Sequence, residues 1–207
     1  MMRGLAAVVL AFLLPAGGAP APAPSAASEA PAYTTDGSLK LPENYREWVF
    51  LASSLDMNYN DPAPVAGHST FQNVFVNPSS YRAFLATGAW PDKTTFILEL
   101  RGADVHVNID RRGQSQTTDL HAIEIHVKDE ARLPGKWGFY NFGTAATGKL
   151  IERPSNCYTC HEAHAAVDTT FVQFYPTLIG IAKAHKTLSP EYLEDEGLPA
   201  AAPATTH

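Results

Sequence analysis

The sequence predicts an α+β fold in which an antiparallel β-sheet packs on helices, and three observations carry that prediction. Four runs between residues 71 and 127 alternate apolar and polar side chains at the period of a strand, the habit of antiparallel sheets with one wet face. One helix start signal, Asn77-Pro78, falls among them. After Gly148 the apolar spacing lengthens to that of a helix, so strands come first and helices last.

The first segment is not fold. Residues 1–27 hold Arg3, an apolar run from Leu5 to Leu14 and small residues beyond it. That is the layout of a secretory signal peptide, and the run is too short to span a bilayer. Residues 28–40 continue a Pro, Ala and Ser-rich stretch and read as a disordered spacer. The folded domain is expected over 41–188, and roughly 165–175 residues without the leader suffice for one core.

"WVFLASSL" (48–55) mixes aromatic and branched residues and suits a strand. "FQNVFVN" (71–77) alternates. Asn77 then caps a helix that Pro78 opens and Gly88 stops, with Tyr81, Phe84 and Leu85 at helical spacing. "TTFILELR" (94–101) aligns Phe96, Leu98 and Leu100 on one face. "ADVHVNID" (103–110) does the same with Val105, Val107 and Ile109. In "LHAIEIHV" (120–127), Ile123, Ile125 and Val127 point inward, Glu124 and His126 outward. "WGFYNFG" (137–143) is the expected last strand. The segment after Gly148 carries Phe171, Phe174, Tyr175, Leu178, Ile179 and Ala182 at helical intervals, with Pro176 to kink or divide the helix. Residues 189–207 are acidic, then Ala and Pro-rich, and read as a solvated tail.

The formal charge is −6, with no basic run and no basic–aromatic stripe, which argues against nucleic acid as a partner. The chain has two cysteines, both in "CYTCH" (157–161). An exported thiol pair oxidises unless something captures it. CxxCH is the attachment pattern for c-type haem. Each thiol adds across one haem vinyl group, and a short helical turn brings both sulfurs to one haem edge. The next residue, His161, then lies under the iron as proximal ligand. Two rival readings remain. A disulfide or redox pair lacks the strand-then-CxxC placement of thioredoxin-like folds. A zinc site from Cys157, Cys160 and His161 or His164 lacks a second ligand pair at familiar spacing.

The iron's other face decides its work: a Met or second His there makes an electron carrier, an empty face a gas or substrate site. Met57 is the one methionine beyond the leader. Of the other histidines, His106, His121 and His126 sit in alternating runs, His164 is on the proximal side, and His185 and His207 come late. His68, just before a strand, is the one candidate sixth ligand among them.

"LPENYREWVFLASSL", "VFVNPSSYRAFLATGAWPDKTTFILEL", "KDEARLPGKWGFYNF" and "NCYTCHEAHAAVDTTFVQFYP" together resemble the cytochrome P-460 family, which also contains the cytochromes c′-β. The resemblance runs from about residue 41 to 185. It implies a periplasmic monohaem protein, usually a homodimer, with Cys157 and Cys160 as thioether cysteines and His161 as proximal ligand. The hydroxylamine-oxidising members carry a lysine joined covalently to the haem ring; here the corresponding position is Leu98. In the c′-β branch an aromatic cap stands there over a five-coordinate iron, and Leu98 with Phe96 on the same strand face fits that apolar side. Lys93 lies five residues upstream, about 16 Å along an extended chain and on the opposite face. It reads as a solvated turn lysine, and nothing aims Lys149 at the motif.

The expectation is therefore a periplasmic protein with one covalent haem c, His161 on the iron, and an apolar distal pocket built from Phe96 and Leu98. It would bind nitric oxide or carbon monoxide and meet a soluble redox partner. The alternatives are a hydroxylamine- or nitric oxide-oxidising enzyme and a six-coordinate electron-transfer cytochrome.

Overall fold

The computed structural model describes residues 29–59, 69–105, 107–109 and 111–199. A seven-stranded antiparallel sheet forms its centre: β1 (Leu39–Lys40), β2 (Val49–Leu55), β3 (Thr70–Val76), β4 (Thr95–Asp104), β5 (Ser115–Lys128), β6 (Trp137–Gly143) and β7 (Thr147–Leu150). Strands β2 to β7 form a meander, each paired with the next, and β1 returns to close the β7 edge, giving the order β1-β7-β6-β5-β4-β3-β2. The helices are α1 (Pro78–Thr87), α2 (Asn156–His164), α3 (Ile179–His185) and α4 (Pro190–Asp195). The α+β class is as the alternation predicted. No helix among the described residues is long and apolar enough to cross a membrane.

Register decides what each face carries. Val76 pairs with Phe96, Phe96 with His126 and His126 with Phe139, so these four side chains form one row. The next row on the same face is Val74, Leu98, Glu124 and Asn141. Against this face packs the helical layer, with Phe84, Trp90, Val172, Leu178 and Tyr192 in one apolar cluster. Burying a side chain such as Phe84 fully contributes about 2–3 kcal/mol. The opposite face carries Phe75, Ile97, Ile125 and Tyr140, covered by Leu39, Tyr45 and Trp48 from the N-terminal segment.

That cover corrects two expectations. The sheet is not wet on one face, and residues 29–40 are not a spacer. Tyr33 bridges Leu39, its hydroxyl donates to Asp129, and Leu39 is buried because the apolar far face needs a lid. The leader, residues 1–27, and Ser28 lie outside the described residues.

Helix α1 starts and stops as predicted. Gly88 is left-handed at φ +68°, and a Cβ there would meet His185 Cβ at 2.6 Å. The cap differs from the expectation, however. Asn77 turns its side chain to Ser79 Oγ and to the Thr95 amide, and the Glu29 carboxylate accepts from Ser79 N–H at 2.7 Å. A negative group at a helix N-terminus is stabilising, so Glu29 ties its own segment to the start of α1.

The strand expected at 103–110 does not form. β4 ends at Asp104, and Val105, Val107 and Ile109 sit on an exposed connection, Ile109 at 86%. Their alternation finds no second sheet face to fill, and the turn at Asn108 (φ +57°) breaks the run. Residues 106 and 110 lie outside the described set. Nor is Trp137–Gly143 the last strand, since β7 follows it. The C-terminal helical period resolves into α2, a 3-10 turn at Val172–Phe174, and α3, with Pro176 between the last two. The tail is folded as far as α4, where Tyr192 and Leu193 are buried and the Ser189 hydroxyl accepts from Tyr192 N–H. Its end, from 200 onward, lies outside the described residues.

The short β7 edge is tightly fitted. A Cβ at Gly148 would fall 2.3 Å from two ring carbons of Phe142. Gly148→Ala should therefore cost about 1–3 kcal/mol by overpacking, read as a lower urea midpoint with an unchanged slope.

Candidate functional site

Helix α2 is held on the sheet by the residue inside its own motif. Tyr158 is buried, accepts from Phe139 N–H, donates to Ile151 O at 2.9 Å and lies under the Arg153 guanidinium. With Tyr158 turned to the sheet, Cys157, Cys160 and His161 fall at offsets of three and four residues along one helical face. All three line a cavity of about 760 Å³. Both thiols are free, and burial, then the neighbouring Cys157, raise the Cys160 pKa.

His161 is fixed from several sides. Its Nδ1 donates to the Thr169 carbonyl at 2.7 Å, which leaves Nε2 with the free lone pair. Its ring packs on Phe171 at 4.1 Å, Phe139 at 4.6 Å and His126 at 5.2 Å between centroids. Burial pushes its pKa down, and the Thr169 hydrogen bond offsets part of that.

The sheet supplies the other wall. Phe96 and Leu98 both line the cavity from one face of β4. Phe96 also belongs to the core, edge-on to Trp90 at 4.8 Å and stacked near Tyr175 at 6.1 Å. Ala52, Ser54, Met57, Gln72 and Val74 continue the lining, and Tyr59, Phe171, Phe174 and Tyr175 complete it toward the helices.

Two residues read as outward from the sequence belong to this site. His126 is buried among Phe139, Trp137 and Phe96, with the Phe139 ring stacked at 4.0 Å. Burial, and then the proximity of His161, hold its pKa well down, so it is neutral. Glu124, the register partner of Leu98, lines the cavity beside it. Its side chain opens to the cavity, yet the surrounding atoms crowd it enough to raise its pKa by desolvation. The sheet side of the cavity is thus mostly apolar, with Ser54, Gln72 and the Glu124 carboxyl set into it.

The remaining candidates divide. Met57 lines the cavity. His68 lies outside the described residues. Lys93 sits in a turn at φ +66°, pairs with Asp129 and Asp92, and is absent from the cavity wall, as is the exposed Lys149. Among the described residues no three His, Cys, Asp or Glu side chains converge as a metal site held by protein alone would need.

The sequence reading missed Thr169, Phe171 and Phe139 as neighbours of His161. The aromatic pair carried a signal, since both lie in strongly apolar runs. Thr169 carried none, because it acts through a backbone carbonyl. A protein-family model described as Cytochrome P460 matches residues 42–172, more than half of the chain. No curated protein matches it.

Proposed function

From the membership of this chain in the cytochrome P460 family, we propose that it holds one haem c through thioethers at Cys157 and Cys160, with His161 Nε2 as proximal ligand. The observation that carries this reading is the opening of both thiols and the free imidazole nitrogen onto one cavity of about 760 Å³. Its size suits a large planar cofactor, and its lining is mostly apolar and aromatic. When bound, the haem supplies an iron centre able to take a small ligand or change oxidation state.

The protein residues then divide the work. Phe96 and Leu98 exclude water from the distal side and admit neutral diatomics. By the resemblance the family's cross-linking lysine position is filled by Leu98, and the described residues that line the cavity include no lysine. Binding of nitric oxide or carbon monoxide by the ferrous protein is the function this supports best. Export through residues 1–27 to the periplasm, a homodimer and a soluble redox partner belong to the same proposal, and the resemblance supports them.

A second reading rests on Glu124. A carboxyl with raised pKa beside Leu98 can take or release a proton at a bound nitrogen ligand, as oxidation of hydroxylamine or nitric oxide requires. A third, a six-coordinate electron carrier, rests on Met57 in the cavity wall.

Optical spectra of oxidised, reduced and CO-treated reduced protein separate them. Rapid formation of a CO adduct is expected. A low-spin reduced spectrum that ignores CO overturns the gas reading and favours Met57. Glu124→Gln should keep CO binding within about twofold; if hydroxylamine turnover is present in the wild type, the substitution should lower it about 10²-fold.

A further inference from the structure

The proximal imidazole is set by a turn, and the grip on that turn comes from the sheet. Residues 167–170 form a tight loop closed by the Val167–Thr170 bridge, with Asp168 at φ +53°. Its flanks are tied down elsewhere: Trp90 Nε1 donates to Thr170 Oγ1 at 2.8 Å, and Lys128 Nζ reaches Asp168 Oδ2 at 3.2 Å. Thr169 stands between them and makes two contacts of its own. Its carbonyl accepts from His161 Nδ1 at 2.7 Å, and its hydroxyl is hydrogen-bonded to His126 Nε2 at 3.3 Å.

His126 is in turn closely packed. Phe139 stacks on it at an interplanar angle of 9°, and Trp137 lies at 4.5 Å. Such packing on a central strand leaves the ring little room to move, so the Thr169 hydroxyl has a fixed partner. Orientation of a ligating histidine by the group on its other nitrogen tunes the strength of the metal bond. Here that group is itself oriented by a second histidine.

We propose that His126 is a positioning residue for the proximal ligand: through the Thr169 hydroxyl it fixes the Thr169 carbonyl on His161 Nδ1 and thereby sets how strongly His161 donates to the iron. The inference rests on the haem reading above and goes beyond it. Loss of the hydroxyl removes the one side-chain tether of Thr169 itself, so that its carbonyl can tilt within the pinned loop, which weakens the Nδ1 hydrogen bond and lowers imidazole donation.

The test uses the haem-loaded full chain as wild type, Thr169→Val, Thr169→Ala, Thr169→Ser and His126→Leu. Resonance Raman of the reduced form reads the iron–histidine stretch, and the reduction potential is readable at any coordination number. Thr169→Val and Thr169→Ala should lower and broaden the stretch and raise the potential, while Thr169→Ser keeps wild-type values. In the His126→Leu background Thr169→Val should add no further shift, because the direct packing of His126 on the His161 ring is absent from both members of that pair and the shared link is already cut. Wild-type values in Thr169→Val and Thr169→Ala, or a double shift equal to the sum of the singles, overturn the proposal. Absence of covalent haem in the wild type, seen by mass before any variant is made, overturns the parent reading instead.

Discussion

Replacing Cys157 and Cys160 together by alanine, with His161 kept, should yield a protein that gives up all its pigment to acid–acetone, whereas the wild type should keep its colour. The reason is the difference between the two kinds of attachment. Thioethers survive acid. Coordination by His161 does not, because Nε2 must be unprotonated to bind and acid protonates it. Each single alanine variant retains one thioether and so stays coloured, with an absorption band displaced by the vinyl group left unsaturated. The double variant also loses the contribution of a tightly held group to folding. At high occupancy that contribution is roughly 4 kcal/mol or more, a fall in melting temperature on the order of 10 °C. The cavity wall would otherwise be open to water on both the sheet and the α2 side. Pigment that washes out of the wild type, or stays in the double variant, contradicts attachment through these two thiols. The first result would move Cys157 and Cys160 back to the disulfide reading, and the second would place the covalent bond on another side chain, as the hydroxylamine-oxidising reading requires.

What the sequence disclosed followed from how local the cause was. The row Phe96, Leu98 and Leu100 was legible because one strand face obeys a period of two. Gly88 was legible because a left-handed stop favours glycine, and Lys93 because it falls in a turn ahead of β4 and not on the strand face that lines the cavity. The motif at 157–161 was legible because its chemistry fits within one turn of helix. Whatever depended on a second layer was not. His126 alternates like a solvent residue, and only the packing of helices on that face buries it. Glu124 became a pocket residue for the same reason. Strands β1 and β7, of two and four residues, carry too little pattern to see, yet they close the sheet edge. Glu29 caps a helix fifty residues ahead, a contact no local rule contains. Val105, Val107 and Ile109 err the other way: their alternation is clear, but they stay exposed among the described residues.

Glu99→Gln is expected to cost about 3 kcal/mol of folding stability at neutral pH while leaving CO binding unchanged. Glu99 neighbours Leu98 on β4 but faces away from the cavity, with its side chain 1% exposed. Arg101 Nε donates to Oε1 at 2.6 Å, the Tyr45 hydroxyl donates to Oε2, Asn73 reaches Oε1, and Arg46 pairs with Oε2. Removing the charge leaves Arg101, itself only 16% exposed, beside a neutral amide, and breaking such a buried pair typically costs 3–5 kcal/mol. Arg46 is half exposed, and water compensates it, so the lower end applies. The pH dependence follows from the same contacts. Burial alone would raise the Glu99 pKa, but the hydrogen bonds from Arg101 and Tyr45 and the two guanidinium charges outweigh it, so it lies below its ordinary 4.5. The unfolded chain then binds this proton first as pH falls. The contribution is complete above about pH 4.5 and disappears as pH drops through the folded value. His126, held low by burial, gives a separate loss that starts below its ordinary 6.5. Urea midpoints across pH should therefore fall in two stages in the wild type. Glu99→Gln should lower the whole curve and flatten only the stage below 4.5. A loss under 1 kcal/mol at pH 7, or an unchanged acid slope, would show that this cluster does not lock β4 behind the cavity wall.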